Sequence, residues 1–221
     1  MSDALGLFGG TFDPVHYGHL RAADEVRVAL DLADMRLLPS GDPPHRDPPG
    51  ASARHRLAML ELALLEFPRL SIDDREVRRS GKSYTVLTLA ELREAMPATP
   101  LLLVTGADAF LGLPAWHRWR EIFALAHVVV VTRPGVRLGD LPPELGDEWQ
   151  ARHTHDRGRL ESTPAGTIFD LPVTPHDVSA TQIRAALAAG PTGKAQLDGL
   201  LPPAVLTYIE RHQLYRPRTD A

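Results

Sequence analysis

The run Ala4-Leu5-Gly6-Leu7-Phe8-Gly9-Gly10-Thr11-Phe12-Asp13-Pro14-Val15-His16-Tyr17-Gly18-His19 carries the decision about the fold. Ala4 to Phe8 is short and apolar, the pattern of a buried strand, and Gly9-Gly10 supplies a tight turn after it. From about Gly18 to Leu30 the apolar spacing becomes helical, with Leu20, Ala23, Val26 and Leu30 on one face. A strand that turns on glycine into a helix gathers free backbone N–H groups and the positive end of a helix dipole at one point, which suits phosphate oxygens. His16 and His19, three residues apart, then face one pocket; each ring offers an N–H to a phosphate oxygen, and protonation would add a charge. The run matches neither G-x-G-x-x-G nor the Walker A pattern, since no Gly-Lys-Ser/Thr follows. A zinc reading of the two histidines lacks a third ligand.

Working outward, strands and helices alternate. Met35 to Pro39, Leu70 to Asp73, Leu101 to Thr105, His127 to Thr132 and Thr167 to Leu171 read as strands. Ser52 to Glu66 reads as a helix capped by Ser52. Further helices are expected from Ser83 to about Ala95, Trp116 to Leu125, Ser179 to Ala189 and Pro203 to Gln213. Gly41 to Gly50 is a proline-rich loop, and Pro134 to Thr167 is irregular, with a short helix near Leu145 to Arg152. The alternation predicts an α/β fold: a doubly wound parallel sheet with helices on both faces, one domain over 1–221, and a C-terminal helical part from about residue 176. Ligands of such sheets bind beyond the carboxyl ends of the strands.

Composition narrows the partners. The 221 residues are 43% hydrophobic and 24% charged, enough for a sizeable core; with a net charge of -4 nothing suggests a bulk polyanion partner such as nucleic acid, so an anion site must come from a local cluster of basic groups. The absence of cysteine excludes disulfides, thiolate zinc sites and a cysteine nucleophile. With no signal-peptide pattern and no membrane-length apolar run, a cytoplasmic protein without a membrane partner is expected.

A second motif, Val178-Ser179-Ala180-Thr181-Gln182-Ile183-Arg184, lies where a helix begins. Hydroxyls, free amides and a guanidinium one turn on point to one place, a second phosphate cradle; the plainer alternative is a capped helix with a surface arginine. Elsewhere, Trp116 and Trp119 are three apart on the expected helix, so at least one belongs to the core. Asp108 either caps the helix after Leu101 to Thr105 or serves the site, and Thr85 is either an early-helix residue or a ligand. Arg56 reads as a solvated helix-face charge, and His153-Thr154-His155 as a solvated loop despite its metal-like look. No metal ligand set is assigned.

The two motifs together identify a family. With Pro43-Pro44-His45-Arg46, Ser83-Tyr84-Thr85, Gly106-Ala107-Asp108, Trp116 to Trp119 and Arg133-Pro134-Gly135, they make nearly the whole chain resemble the HxGH nucleotidyltransferases, most closely the bacterial nicotinate-nucleotide adenylyltransferases. The resemblance implies a Rossmann-like fold and transfer of the adenylyl group of ATP to nicotinate mononucleotide, giving deamido-NAD and pyrophosphate. It implies that Gly9, Gly10, Thr11 and Phe12 surround the ATP phosphates, that His16 and His19 contact them, and that His19 stabilises the transition state. Ser179, Thr181 and Arg184 would hold the β- and γ-phosphates, and Gly106 and Asp108 the adenosine ribose. Thr85 and Trp116 would receive the pyridine ring and its carboxylate, with His45, Arg46 and Arg133 on the nicotinate-nucleotide side. The family often has lysine where this chain has Arg46, a change of geometry at constant charge. Magnesium would arrive with ATP. The alternatives that stay open are a sister enzyme using nicotinamide mononucleotide or phosphopantetheine, and a nucleotide sensor without turnover; a homo-oligomer is neither required nor excluded.

Overall fold

The computed structural model describes residues 2–42, 49–132, 138 and 141–216. In chain order the strands are β1 (Ser2–Gly10), β2 (Leu32–Pro39), β3 (Ser71–Ile72), β4 (Leu101–Gly106), β5 (His127–Thr132) and β6 (Ile168–Pro172). The helices are α1 (Tyr17–Ala29), α2 (Ala53–Ala63), α3 (Arg75–Arg78), α4 (Thr85–Ala95), α5 (Ala107–Leu111), α6 (Ile122–Leu125), α7 (Pro143–Arg152), α8 (Arg159–Ser162), α9 (Ala180–Ala188), α10 (Pro191–Lys194) and α11 (Pro203–Arg211).

All six strands form one parallel sheet in the order β3-β2-β1-β4-β5-β6. The chain starts in the middle, winds outward to β3, then crosses back to β4 and winds the other way. The crevice between the carboxyl ends of β1 and β4 is therefore the switch point, where a ligand has room between diverging connections.

Side-chain alternation divides the core between the two faces of the sheet. Ala4, Leu102, Val104 and Val129 join one cluster with α1, α2, α9 and α11. Leu5, Leu7, Leu101, Leu103, Val128 and Val130 join the other with α4, α5, α6 and α7. Leu20, Ala23 and Val26 of α1 are fully buried, as their spacing demands, and each such leucine contributes about 1.5–3 kcal/mol. Gly6 lets β2 lie close, since a Cβ there would stand 2.3 Å from the Met35 sulfur. Among the described residues no helix is long and apolar enough to cross a membrane.

The short helices α3, α8 and α10 were not expected, and one expected helix is not formed as read. Trp116 to Leu125 is not a continuous helix: Arg118 sits at φ 52, a 3₁₀ turn covers Trp119–Glu121, and only α6 is α-helical. The left-handed residue breaks the helix while the apolar spacing continues through the turn, so Trp119 and Phe123 still reach the core. Trp119 is the buried tryptophan; Trp116 stands free of the helix and half-buried at the crevice.

Candidate active site

At the switch point lies a cavity of about 1600 Å³. Gly9-Gly10, expected as a tight turn, instead pair with Leu38 and Pro39 of β2 as the last residues of β1, and with Thr11 they form its floor. Gly10 has no room for a side chain, because a Cβ would meet the Phe12 ring at 2.9 Å. Phe12, at φ 50, folds inward and is 1% exposed, presenting its edge to the His19 ring at 5.1 Å. His16 is the N-cap of α1 in extended conformation, so its side chain and the first helical N–H groups face the cavity together. The His16 and His19 rings stack with centroids 3.7 Å apart. Burial pushes the His16 imidazole from an ordinary 6.5 down to about 4, so near neutral pH it serves as an uncharged donor, not as the cation that protonation would make it.

The second motif meets the first at Gly18, whose Cβ would lie 2.9 Å from Val178 and 3.0 Å from the His16 ring. Only glycine allows α1 to begin there. Ser179 caps α9, accepting from the Gln182 N–H at 3.1 Å. Arg184 donates to the carbonyl of Asp13 at 2.7 Å and to the Thr181 hydroxyl at 3.3 Å. One guanidinium thus spans both motifs and still lines the cavity.

Asp13 fastens the floor. Its buried carboxylate accepts from the Gly50 N–H at 2.7 Å, the Ala51 N–H at 3.0 Å and the Tyr215 hydroxyl at 2.7 Å. Burial and the neighbouring carboxylate push the Tyr215 phenol up, so it remains a donor. Beneath lies Arg56, whose expected solvation is overturned: it is 0% exposed. It donates to the carbonyls of Thr11 at 2.6 Å, Gly41 at 2.9 Å and Ala51 at 3.3 Å, joining the residue after β1 to both ends of the proline-rich loop. Burial lowers its guanidinium from the usual range, with Asp13 and Tyr215 opposing. Its sequence signal is positional: Arg56, Met59, Leu60 and Ala63 form the buried stripe of α2.

On the opposite wall, Gly106 ends β4 and is the N-cap of α5. No side chain caps α5, so Asp108 is not its cap and lies exposed on the cavity wall. Thr85 opens α4, which also lacks a side-chain cap, and Trp116 stands nearby with the Tyr84 and His117 rings 4.4 Å apart. Glu76, which the sequence did not single out, lines the same wall. It accepts from Thr88 at 2.7 Å, and burial raises its carboxyl.

The cavity brings together Gly9, Gly10, Thr11, Phe12, His16, His19, Thr85, Gly106, Asp108, Trp116, Ser179, Thr181 and Arg184. His45, Arg46 and Arg133 lie outside the described residues. The solvated-loop expectation for His153-Thr154-His155 fails for His153, which is half-buried, stacked on Trp149 and bonded to Asp170.

A doubly wound sheet with two helix starts facing its switch point defines a nucleotide-binding α/β protein. The profile described as cytidylyltransferase-like matches residues 7–186. A probable nicotinate-nucleotide adenylyltransferase of Laribacter hongkongensis is 51% identical over 99% of this chain and 97% of its own. One of the same name from Dechloromonas aromatica is 49% identical over 98% of this chain and 99% of its own. Among solved structures, a Plasmodium falciparum nicotinic acid mononucleotide adenylyltransferase complexed with NaAD superposes with a TM-score of 0.74, covering 96% of this chain and 97% of that one. At 14% identity that likeness shows the fold. The chain belongs to the cytidylyltransferase-like family and, within it, to the nicotinate-nucleotide adenylyltransferases.

Proposed function

We propose that this protein transfers the adenylyl group of ATP to nicotinate mononucleotide, releasing pyrophosphate and forming deamido-NAD in NAD biosynthesis. The observation that carries the reading is the meeting of α1 and α9 at Gly18 and Val178, which aims two helix N-termini, His16, His19 and Arg184 into one cavity.

The chemistry is an in-line displacement. A 5′-phosphate oxygen of the mononucleotide attacks the α-phosphorus of ATP; the bond from that phosphorus to the bridging oxygen breaks, and the electron pair leaves with pyrophosphate. The nucleophile is already an anion, so no strong base is required. The residues must align two anions and meet the charge that grows on the leaving group. His19, with the neutral N–H of His16 beside it, donates to the phosphate oxygens; Ser179, Thr181 and Arg184 hold the β- and γ-phosphates. Gly9 to Phe12 let the backbone approach, and Gly106 and Asp108 take the adenosine ribose.

The acceptor lies toward α4 and Trp116. Because no side chain caps α4, the first N–H of that helix, at Thr85 on the cavity wall, suits a carboxylate, which needs donors and brings none of its own. His45, Arg46 and Arg133 complete this side by family resemblance. Magnesium would come with ATP, held by its phosphates, and would supply neutralisation of their charge. The donor set fits an ion held by the substrate: the Asp13 carboxylate is taken by three hydrogen bonds, and no cluster of three histidine or acidic groups among the described residues lies in the cavity.

The test is pyrophosphate release with ATP and magnesium, comparing nicotinate mononucleotide with nicotinamide mononucleotide and phosphopantetheine. Preference for nicotinate mononucleotide is expected. Preference for another acceptor would overturn the ring-pocket assignment and leave the phosphate site standing; no turnover with any of them would leave a nucleotide sensor.

A further inference from the structure

Behind the sheet edge, away from the cavity, three donor groups converge. His153 follows the last turn of α7, and the chain then runs beside β6: His153 pairs with Ile168 in a parallel bridge, and the Thr154 N–H reaches the Ile168 carbonyl at 3.0 Å. This brings His153 Nε2 to 2.6 Å and His155 Nδ1 to 3.4 Å from the same oxygen, Asp170 Oδ1 on β6. The donor atoms all lie within 4.8 Å of one another, and the two rings stand at 88°.

We propose that His153, His155 and Asp170 form a binding site for a borderline divalent transition-metal ion, with zinc as the first candidate. Zinc bonds of 2.0–2.1 Å place tetrahedral ligand atoms about 3.3 Å apart, close to the 3.4 Å already present on the His155 side. The short His153–Asp170 pair opens slightly as the ion takes the place of the hydrogen between them. Two imidazoles and one carboxylate suit zinc, cobalt or nickel; magnesium and calcium prefer all-oxygen shells.

Competition for the carboxylate is absent among the described residues: Asp170 has ion-pair contacts only with the two imidazoles, and the nearby Arg152 is held by Glu148 at 2.6 Å. The site is also partly built in advance. His153 stacks on Trp149 at 3.9 Å, and Trp149 packs on Phe110 at 5.9 Å, fixing that ring against the core. Asp170 is fixed by strand pairing. His155 is 81% exposed and supplies the ligand on the solvent side, leaving the fourth position open to water. The role that follows is a structural clamp, pinning the end of α7 to the edge strand, which continues into Val173 and Thr174 of the cavity wall.

The test uses the full chain stripped with chelator. Zinc uptake is measured by equilibrium dialysis, cobalt binding by its visible absorption, and melting temperature with and without zinc. Expected are one zinc per chain beyond any held by the stacked His16–His19 pair, which a His19→Ala chain accounts for, and a higher melting temperature on binding. His155→Ala, at an exposed position that leaves packing intact, should weaken uptake at least about tenfold and abolish the melting shift, with adenylyl transfer in magnesium unchanged; Asp170→Ala should do the same to uptake. No uptake by the parent chain, or uptake unaltered in His155→Ala, would overturn the proposal.

Discussion

The two motifs proposed to hold phosphate meet the cavity in opposite ways. The first, from Gly9 to His19, is sunk into the protein: Phe12, Asp13 and His16 are buried, and the turn is held from below by Arg56 and from the side by Asp13. The second, around Ser179, is a capped helix start at the surface, with Ser179, Thr181 and Gln182 exposed. Buried polar groups need their hydrogen bonds satisfied, so the proposed role of the first motif is tied to stability; exposed groups lose little to water, so the proposed role of the second can be altered with slight structural consequence.

The contrast breaks most sharply at Arg56. Arg56→Ala leaves three carbonyls without their donor and an unfilled space, and should cost about 3–5 kcal/mol in urea unfolding. A loss under 1 kcal/mol would show that the first motif is not held from beneath. His19→Ala should lower kcat by about 10²–10³ with the fold retained, the usual cost of one preorganised donor; near-normal turnover would remove His19 from the mechanism.

Acidification separates the motifs next. His16 titrates near 4 when folded against 6.5 ordinarily. Between those values the unfolded chain binds a proton that the folded chain refuses. Its contribution is therefore complete above about pH 6.5 and falls as pH drops toward 4, by about 3 kcal/mol in all. Buried His127, also held below its ordinary value, has the same sign. The pH dependence of unfolding should be shallower in His16→Asn; an unchanged slope would show that His16 is not kept neutral by burial. The smallest effect belongs to the second motif: Ser179→Ala should cost about 1 kcal/mol of stability as a lost cap, with a larger proportional loss in turnover. Equal losses in both would erase the contrast.

How much of this was legible depends on sequence distance. The six strands, α1 with its buried face and the Ser179 cap follow from local pattern, because period and capping act over a few residues. The residues quoted from the two motifs meet because the parallel topology returns both helices to the switch point. The break at Arg118 was invisible because Trp116, Trp119, Ile122 and Phe123 keep helical spacing through a turn that is not α-helical. Arg56 was misread because its partners are backbone carbonyls, up to 45 residues away, which no residue pattern announces. Glu76 was missed for the same reason: its hydroxyl partner Thr88 belongs to another helix.

The bond from Tyr215 to Asp13 joins positions 202 residues apart. In the order of synthesis the residues of both motifs are made before the phenol that completes the floor. A chain terminated before residue 215 would carry every residue proposed to touch substrate and still lack one of the three donors on Asp13. The floor of the cavity is thus finished by a residue that touches none of the proposed substrate groups itself.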